Sequence, residues 1–156
     1  MDLSLAKKVL EAFEREGVRY VVCGAVAINI LGLPRATEDL DVFIEPQREN
    51  VARVKAALQS VFADPLIEEI SAEDLLGEYP AVQYVPPEGS FHVDILTRLG
   101  EAFSFQDLEA IRVEFDGKPV WVTSPRTLYL MKKDTVRPKD WGDAELVKRR
   151  FQLKEE

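Results

Sequence analysis

Residues 23–45, CGAVAINILGLPRATEDLDVFIE, decide how this chain is read. Gly24 interrupts a β-branched and aromatic run, Arg19 to Cys23, that has the composition of a buried strand. Ala25 to Leu31 follows as a short apolar helix, stopped at Gly32 with Pro34 just beyond. Leu40 to Glu45 is a second strand, preceded by Asp39-Leu40-Asp41. Residues two apart on a strand face the same side, so Asp39 and Asp41 stand side by side, anchored by the apolar Val42-Phe43-Ile44. Two carboxylates that close repel, and one is pushed toward protonation unless a cation joins them. A hard divalent cation with a preference for oxygen ligands relieves the strain. The plainer alternative is an Asp-x-Asp at a strand edge that is simply solvated.

Outward from this stretch, Leu5, Val9 and Phe13 mark a helix over 5–16 that ends at Gly17. Val51, Val54, Leu58 and Val61 mark another from about Arg48 to Phe62. Ser71 with an acid three residues on has the form of a helix N-cap. Ala81 to Val85 and Ser90 to Leu96 are strand candidates around the turn Pro86-Pro87-Glu88-Gly89. Arg112 to Phe115 and Pro119 to Val122, joined by Asp116-Gly117, form a hairpin. Ser124-Pro125 opens a helix, and a last one runs from about Lys139 to Phe151 with Trp141, Ala144, Val147 and Phe151 inward. The order is that of an α/β or α+β protein, read as one domain over 1–156 with a C-terminal helical segment over about 125–153.

The chain has 156 residues, 46% hydrophobic and 31% charged, an ordinary balance for a globular protein. One cysteine excludes an intramolecular disulfide and a Cys-based zinc site, and one histidine excludes a His-rich centre. No run approaches the ~18 apolar residues of a membrane helix, and Met1-Asp2-Leu3-Ser4 does not begin a signal peptide. The expectation is a cytoplasmic protein with no membrane partner. The formal net charge is −8. Residues 1–125 carry 11 basic and 22 acidic side chains, whereas 126–150 carry 8 basic and 4 acidic. So acidic a chain is a poor binder of extended nucleic acid; the basic stretch reads first as a solvated helix face, although it permits one phosphate-bearing ligand.

Phe91-His92-Val93-Asp94-Ile95-Leu96 again embeds one acid in an apolar strand. If that strand neighbours the first, three carboxylates converge, and such a set can hold two Mg²⁺ ions around an in-line phosphoryl displacement. Gly24-Ala25, at a strand-to-helix junction, offers backbone N–H groups to an anion, and glycine allows close approach. Cys23 reads as core rather than nucleophile. His92 reads as a surface histidine, with the rim of the site as the alternative. Trp141 reads as core rather than as a stacking platform, and Lys132 and Lys133 as solvated helix residues.

Gly24-Ala25, thirteen residues, then Asp39-x-Asp41, with the later Asp94, resembles the nucleotidyltransferase superfamily typified by DNA polymerase β and the minimal nucleotidyltransferases. Gly32-x-x-Arg35-x-Thr37-x-Asp39-x-Asp41 is most similar to the AbiEii-type group, which includes toxins of toxin–antitoxin systems. Ser124-Pro125, Leu128, Lys132 and Arg137-Pro138-Lys139-Asp140-Trp141-x-Asp143 resemble that group's helical Lys and its Arg-x-Lys-Asp-x-x-Asp block. The resemblance implies a small mixed sheet with helices mainly on one face, and transfer of a nucleoside monophosphate from an NTP to an acceptor hydroxyl on an RNA end, a protein or a small molecule. It implies Mg²⁺ or Mn²⁺ held by Asp39, Asp41 and Asp94, which are also the catalytic set. Gly24 and Ala25 would meet the phosphates, and Lys132 would offset their charge. Asp140 would support the site, and Arg35 and Thr37 would border it. A cognate antitoxin or helical partner belongs to the same set of expectations, as does the alternative of a non-catalytic nucleotide-binding or protein-interaction module. Ala25 departs from the group's second glycine or serine, which removes a side-chain hydroxyl and leaves the backbone contact.

Overall fold

A computed structural model describes residues 3–87, 91–99, 103–133 and 138–154. In chain order the elements are α1 (Ser4–Glu16), β1 (Tyr20–Cys23), α2 (Gly24–Ile30), β2 (Asp39–Ile44), α3 (Arg48–Phe62), α4 (Ala72–Leu76), β3 (Ala81–Tyr84) and β4 (His92–Leu96). There follow the short strands β5 (Arg98–Leu99) and β6 (Phe103–Ser104), then β7 (Ala110–Phe115), β8 (Lys118–Thr123), α5 (Pro125–Lys133) and α6 (Pro138–Phe151).

Local chemistry sets most of these boundaries. Gly17 ends α1 at φ 71°, a left-handed conformation that glycine adopts without strain. The Ser71 side chain accepts from the Asp74 amide at the start of α4, as its spacing predicts. Ser124 likewise accepts from Thr127 N at 3.2 Å and starts α5. Asp116 and Gly117 both have positive φ, 55° and 79°, as a two-residue type I′ hairpin between β7 and β8 requires. The 3₁₀ turns at Pro65–Glu69 and Phe105–Asp107 and the β5–β6 pair have no periodicity to announce them.

Six strands form one mixed sheet in the order β3-β4-β2-β1-β8-β7. β1 is antiparallel to β2 and parallel to β8, and β2 is parallel to β4. The pleat sorts the strand residues. Tyr20, Val22, Leu40, Val42, Ile44, Val93, Ile95, Val120 and Val122 join a core that also takes Val9 and Phe13 of α1, Ile28 of α2, Val54 and Leu58 of α3, and Leu128 and Val147 of the last two helices. The other side chains of β1, β2 and β4 face away from that core. There Cys23 and Phe43 meet Met131 of α5, with Leu96 and Phe103 beside them. This second face carries Asp39, Asp41 and Asp94, because each is an even number of residues from Phe43 or Leu96 along its strand.

α6 differs from its expected orientation at one residue. Ala144 and Val147 are buried, but Trp141 is 49% exposed. The inward positions one turn before Ala144 and Val147 belong instead to Asp140 and Asp143, 8% and 5% exposed. They turn in because two cations wait there, and Trp141 is carried outward.

Candidate active site

Register, more than sequence, builds the site. β2 and β4 run parallel with Asp39 opposite His92, Asp41 opposite Asp94, and Phe43 opposite Leu96. One face of two neighbouring strands therefore presents a His–Asp pair, then an acid pair, then an apolar pair, in three successive rungs. The carboxyl groups of Asp41 and Asp94 are hydrogen-bonded to each other. Burial, that hydrogen bond, and the charges of Asp94 and Asp39 push the Asp41 carboxyl up to about 8, with Lys132 pulling the other way. At neutral pH the Asp41 carboxyl thus tends to keep its proton.

The three carboxylates expected to converge do so only in backbone register. Asp39 Oδ1 lies 3.0 Å from His92 Nδ1, which turns this side chain toward the His rung. Among the described residues, no group of three His, Cys, Asp or Glu side chains is gathered as a ready metal site. His92, expected on the surface, is half-buried and in contact with Asp39, and Gln83 lies 3.4 Å from the same ring nitrogen.

Gly24, φ 70°, has a tight reason to be glycine. A Cβ there would stand 2.1 Å from Asp41 Oδ2, so the Asp41 carboxylate packs directly over the β1–α2 junction. Cys23 is 3% exposed, with its Sγ donating to the Asp41 carbonyl oxygen at 3.6 Å. Burial, reinforced by Asp41, pushes its thiol up, as suits a core residue rather than a nucleophile.

A cavity of about 560 Å³ opens beside the acid pair and is lined by Gly24, Asp41, Asp94, Lys132, Asp140 and the apolar Met131, among others. Lys132 is 9% exposed rather than solvated. Its Nζ donates to Asp143 Oδ2 at 2.8 Å and to Asp140 Oδ1 at 3.3 Å. Arg35 reaches Asp143 from the opposite side, with Nε 2.7 Å from Oδ1 and Nη2 3.4 Å from Oδ2. Burial raises the Asp143 carboxyl, but the hydrogen bonds from Arg35 and Lys132 outweigh it and hold the group below the usual carboxylate range. Asp143 is the residue whose function the sequence reading did not assign, although it stands in the quoted C-terminal block. Arg137 of that block lies outside the described residues.

Asp39, Ala25, Arg35 and Thr37 are not among the described lining residues of the cavity. Ala25 is 7% exposed. Thr37 instead organises the entry to β2, its Oγ1 accepting from Asp39 N at 3.1 Å. Arg35 is locked in its loop: Asn29 Nδ2 donates to its carbonyl at 2.5 Å and Asn29 Oδ1 accepts from its amide at 3.2 Å.

The donor set fits a hard cation. It is all oxygen, and a divalent ion would take the place of the proton that burial and the facing Asp94 favour on Asp41.

This mixed sheet, with its glycine at the first strand-to-helix turn and acids on parallel neighbours, is a nucleotidyltransferase fold. Three solved structures share it: ANT(2")-Ia in complex with adenylyl-2"-tobramycin (15% identity, TM-score 0.59, covering 96% of this chain and 88% of that one); the lincosamide antibiotic adenylyltransferase LnuA with lincomycin bound (15%, 0.59, 95% and 96%); and a nucleotidyltransferase-like protein of Thermotoga maritima (16%, 0.54, 96% and 92%). Residues 8–151 match the family described as nucleotidyl transferase AbiEii toxin, type IV TA system, and the chain belongs to that family. No curated protein matches it. No helix among the described residues is long and apolar enough to cross a membrane.

Proposed function

We propose that this chain transfers a nucleoside monophosphate from an NTP to an acceptor hydroxyl. The observation that carries the reading is the Asp41–Asp94 pair, in register on parallel strands at the cavity wall, with Lys132 on the same cavity. Asp41 and Asp94 would hold Mg²⁺ or Mn²⁺, with Asp39 joining them on release from His92. When bound, the metal neutralises charge on the phosphates and lowers the pKa of the attacking hydroxyl. The hydroxyl oxygen forms a bond to the α-phosphorus, the bond from that phosphorus to the bridging oxygen breaks, and pyrophosphate leaves. Asp94 takes the hydroxyl proton. Lys132 offsets charge on the departing phosphates, Gly24 and the amide of Ala25 meet the phosphate oxygens, and Asp140 orients the Lys132 ammonium. Arg35 and Thr37 act from outside the cavity.

The acceptor is an RNA end, a protein or a small molecule. The antibiotic ligands of ANT(2")-Ia and LnuA favour the last by analogy of fold, and the family's description favours a toxin with a cognate antitoxin. One observation supports the non-catalytic alternative: Asp39 is engaged by His92. Incubating the purified chain with each α-labelled NTP, with Mg²⁺, Mn²⁺ or EDTA, separates the two. Metal-dependent labelling of protein, RNA or small-molecule fractions supports transfer, and nucleotide binding with no labelling under any metal supports the module.

A further inference from the structure

Arg35 was expected to border the nucleotide. Its guanidinium instead grips Asp143, a residue 108 positions away in sequence, with contacts of 2.7 and 3.4 Å. The same carboxylate takes Lys132 at 2.8 Å. Arg35 has 18% of its side chain exposed, Asp143 7% and Lys132 11%, so water screens these contacts poorly. Lys132 faces two acids, Asp140 and Asp143. Were Asp143 to have Lys132 as its sole partner here, much of the lysine's charge would be spent inside the protein. Arg35 shares that carboxylate, and it does so from the loop that leads into Asp39 and Asp41, with Asn29 fixing the loop's backbone.

We propose that Arg35 is a positioning residue that acts through Asp143, sharing that carboxylate so that the Lys132 charge stays available to the triphosphate. The inference rests on the reading of the cavity as an NTP site and names what tunes it. It concerns electrostatic balance, so charge matters more than the shape of the guanidinium.

The test is equilibrium binding of ATP, GTP, CTP and UTP in Mg²⁺, followed by kcat and KM for the NTP bound best. Arg35→Gln is expected to weaken binding about tenfold while kcat changes less than about threefold, since the loss falls on charge presented to the phosphates. Arg35→Lys keeps the charge and is expected to stay within about threefold of the parent affinity. Arg35→Gln combined with Asp143→Asn removes the surplus acid and is expected to recover most of the loss. A merely structural clamp gives the opposite pattern: Arg35→Lys fails with Arg35→Gln, and the double variant is no better than the single. Either result overturns the proposal, as does parent-like binding by Arg35→Gln. If Arg35→Gln lacks a cooperative melt, Asp143→Asn alone decides, since it is expected to bind at least as tightly as the parent and weaker binding overturns the proposal. Lys132→Ala separates the layers. If it binds like the parent, or the parent binds none of the four NTPs, the NTP reading falls and the inference with it. If Lys132→Ala weakens binding and Arg35→Gln does not, the inference alone falls.

Discussion

Asp41→Asn is expected to make the metal-free protein more stable, and increasingly so as pH rises. In the folded chain Asp41 keeps its proton to about 8, against an ordinary value of 3.8, because burial and the facing Asp94 disfavour its charge. A carboxyl raised on folding binds more protons in the native state, so stability falls as pH climbs from about 4 to about 8. At ~1.4 kcal/mol per pH unit the full span sets a ceiling of ~6 kcal/mol. At the wall of a solvent-open cavity about half of that, ~3 kcal/mol, is a reasonable expectation. An amide at position 41 can donate to Asp94 as the protonated acid does, and it never ionises. For a chain of this length ~3 kcal/mol corresponds to a melting temperature higher by roughly 6–12 °C. Thermal melts of both proteins in EDTA, at pH 5 and pH 9, measure it: a small gap at pH 5 and a wide one at pH 9. Saturating Mg²⁺ should then close the gap by stabilising the parent alone. A gap that does not widen with pH, or a variant less stable than the parent at pH 9, refutes the reasoning about the acid pair.

Gly24→Ala places a methyl 2.1 Å from Asp41 Oδ2 at φ 70°, so it should cost at least the ~1–2 kcal/mol of left-handed backbone strain and abolish Mg²⁺-dependent stabilisation, both read by thermal shift. Lys132→Ala takes a buried cation away from Asp140 and Asp143 and leaves Asp143 to Arg35, so it should cost ~3 kcal/mol in urea unfolding along with NTP affinity. Lys133→Ala, one position on, should move stability by less than ~0.5 kcal/mol and affinity hardly at all. Glu14 binds Arg112 at 2.7 and 2.9 Å and accepts from Tyr20 OH at 2.7 Å, and the Arg112 hydrogen bond holds its carboxyl below the ordinary 4.5. Its contribution is present above that pH and lost as pH falls through the depressed value, so Glu14→Gln should cost ~1 kcal/mol at pH 7 and less at pH 3.

The elements with periodic apolar residues were legible. Val51, Val54 and Leu58 placed a helix over 48–62, and α3 spans Arg48–Phe62. Asp39 and Asp41 share a face because strand periodicity leaves no choice. Asp94 was legible as a candidate third acid, but which residue faces which was not, because parallel pairing of β2 and β4 joins residues about fifty apart through a register that local sequence does not encode. That register sets Asp94 against Asp41 and His92 against Asp39. The same limit hid Asp143. Helix spacing alone put Trp141 on the buried stripe, whereas Arg35 and Lys132 reward an acid there. Tertiary charge pairing overrode the apolar pattern at the one turn of α6 that faces the site.

The most direct test of the central claim is pyrophosphate release from each NTP by the parent and by Asp94→Asn, in Mg²⁺ and in EDTA, with cell-extract RNA, protein and small-molecule fractions as acceptors. Asp94→Asn keeps the shape of the acid pair and removes the carboxylate proposed to accept the proton and to bind the metal. The expected result is metal-dependent release by the parent and a rate lower by at least ~100-fold in the variant. Equal release by the two proteins, or release that persists in EDTA, would contradict the account.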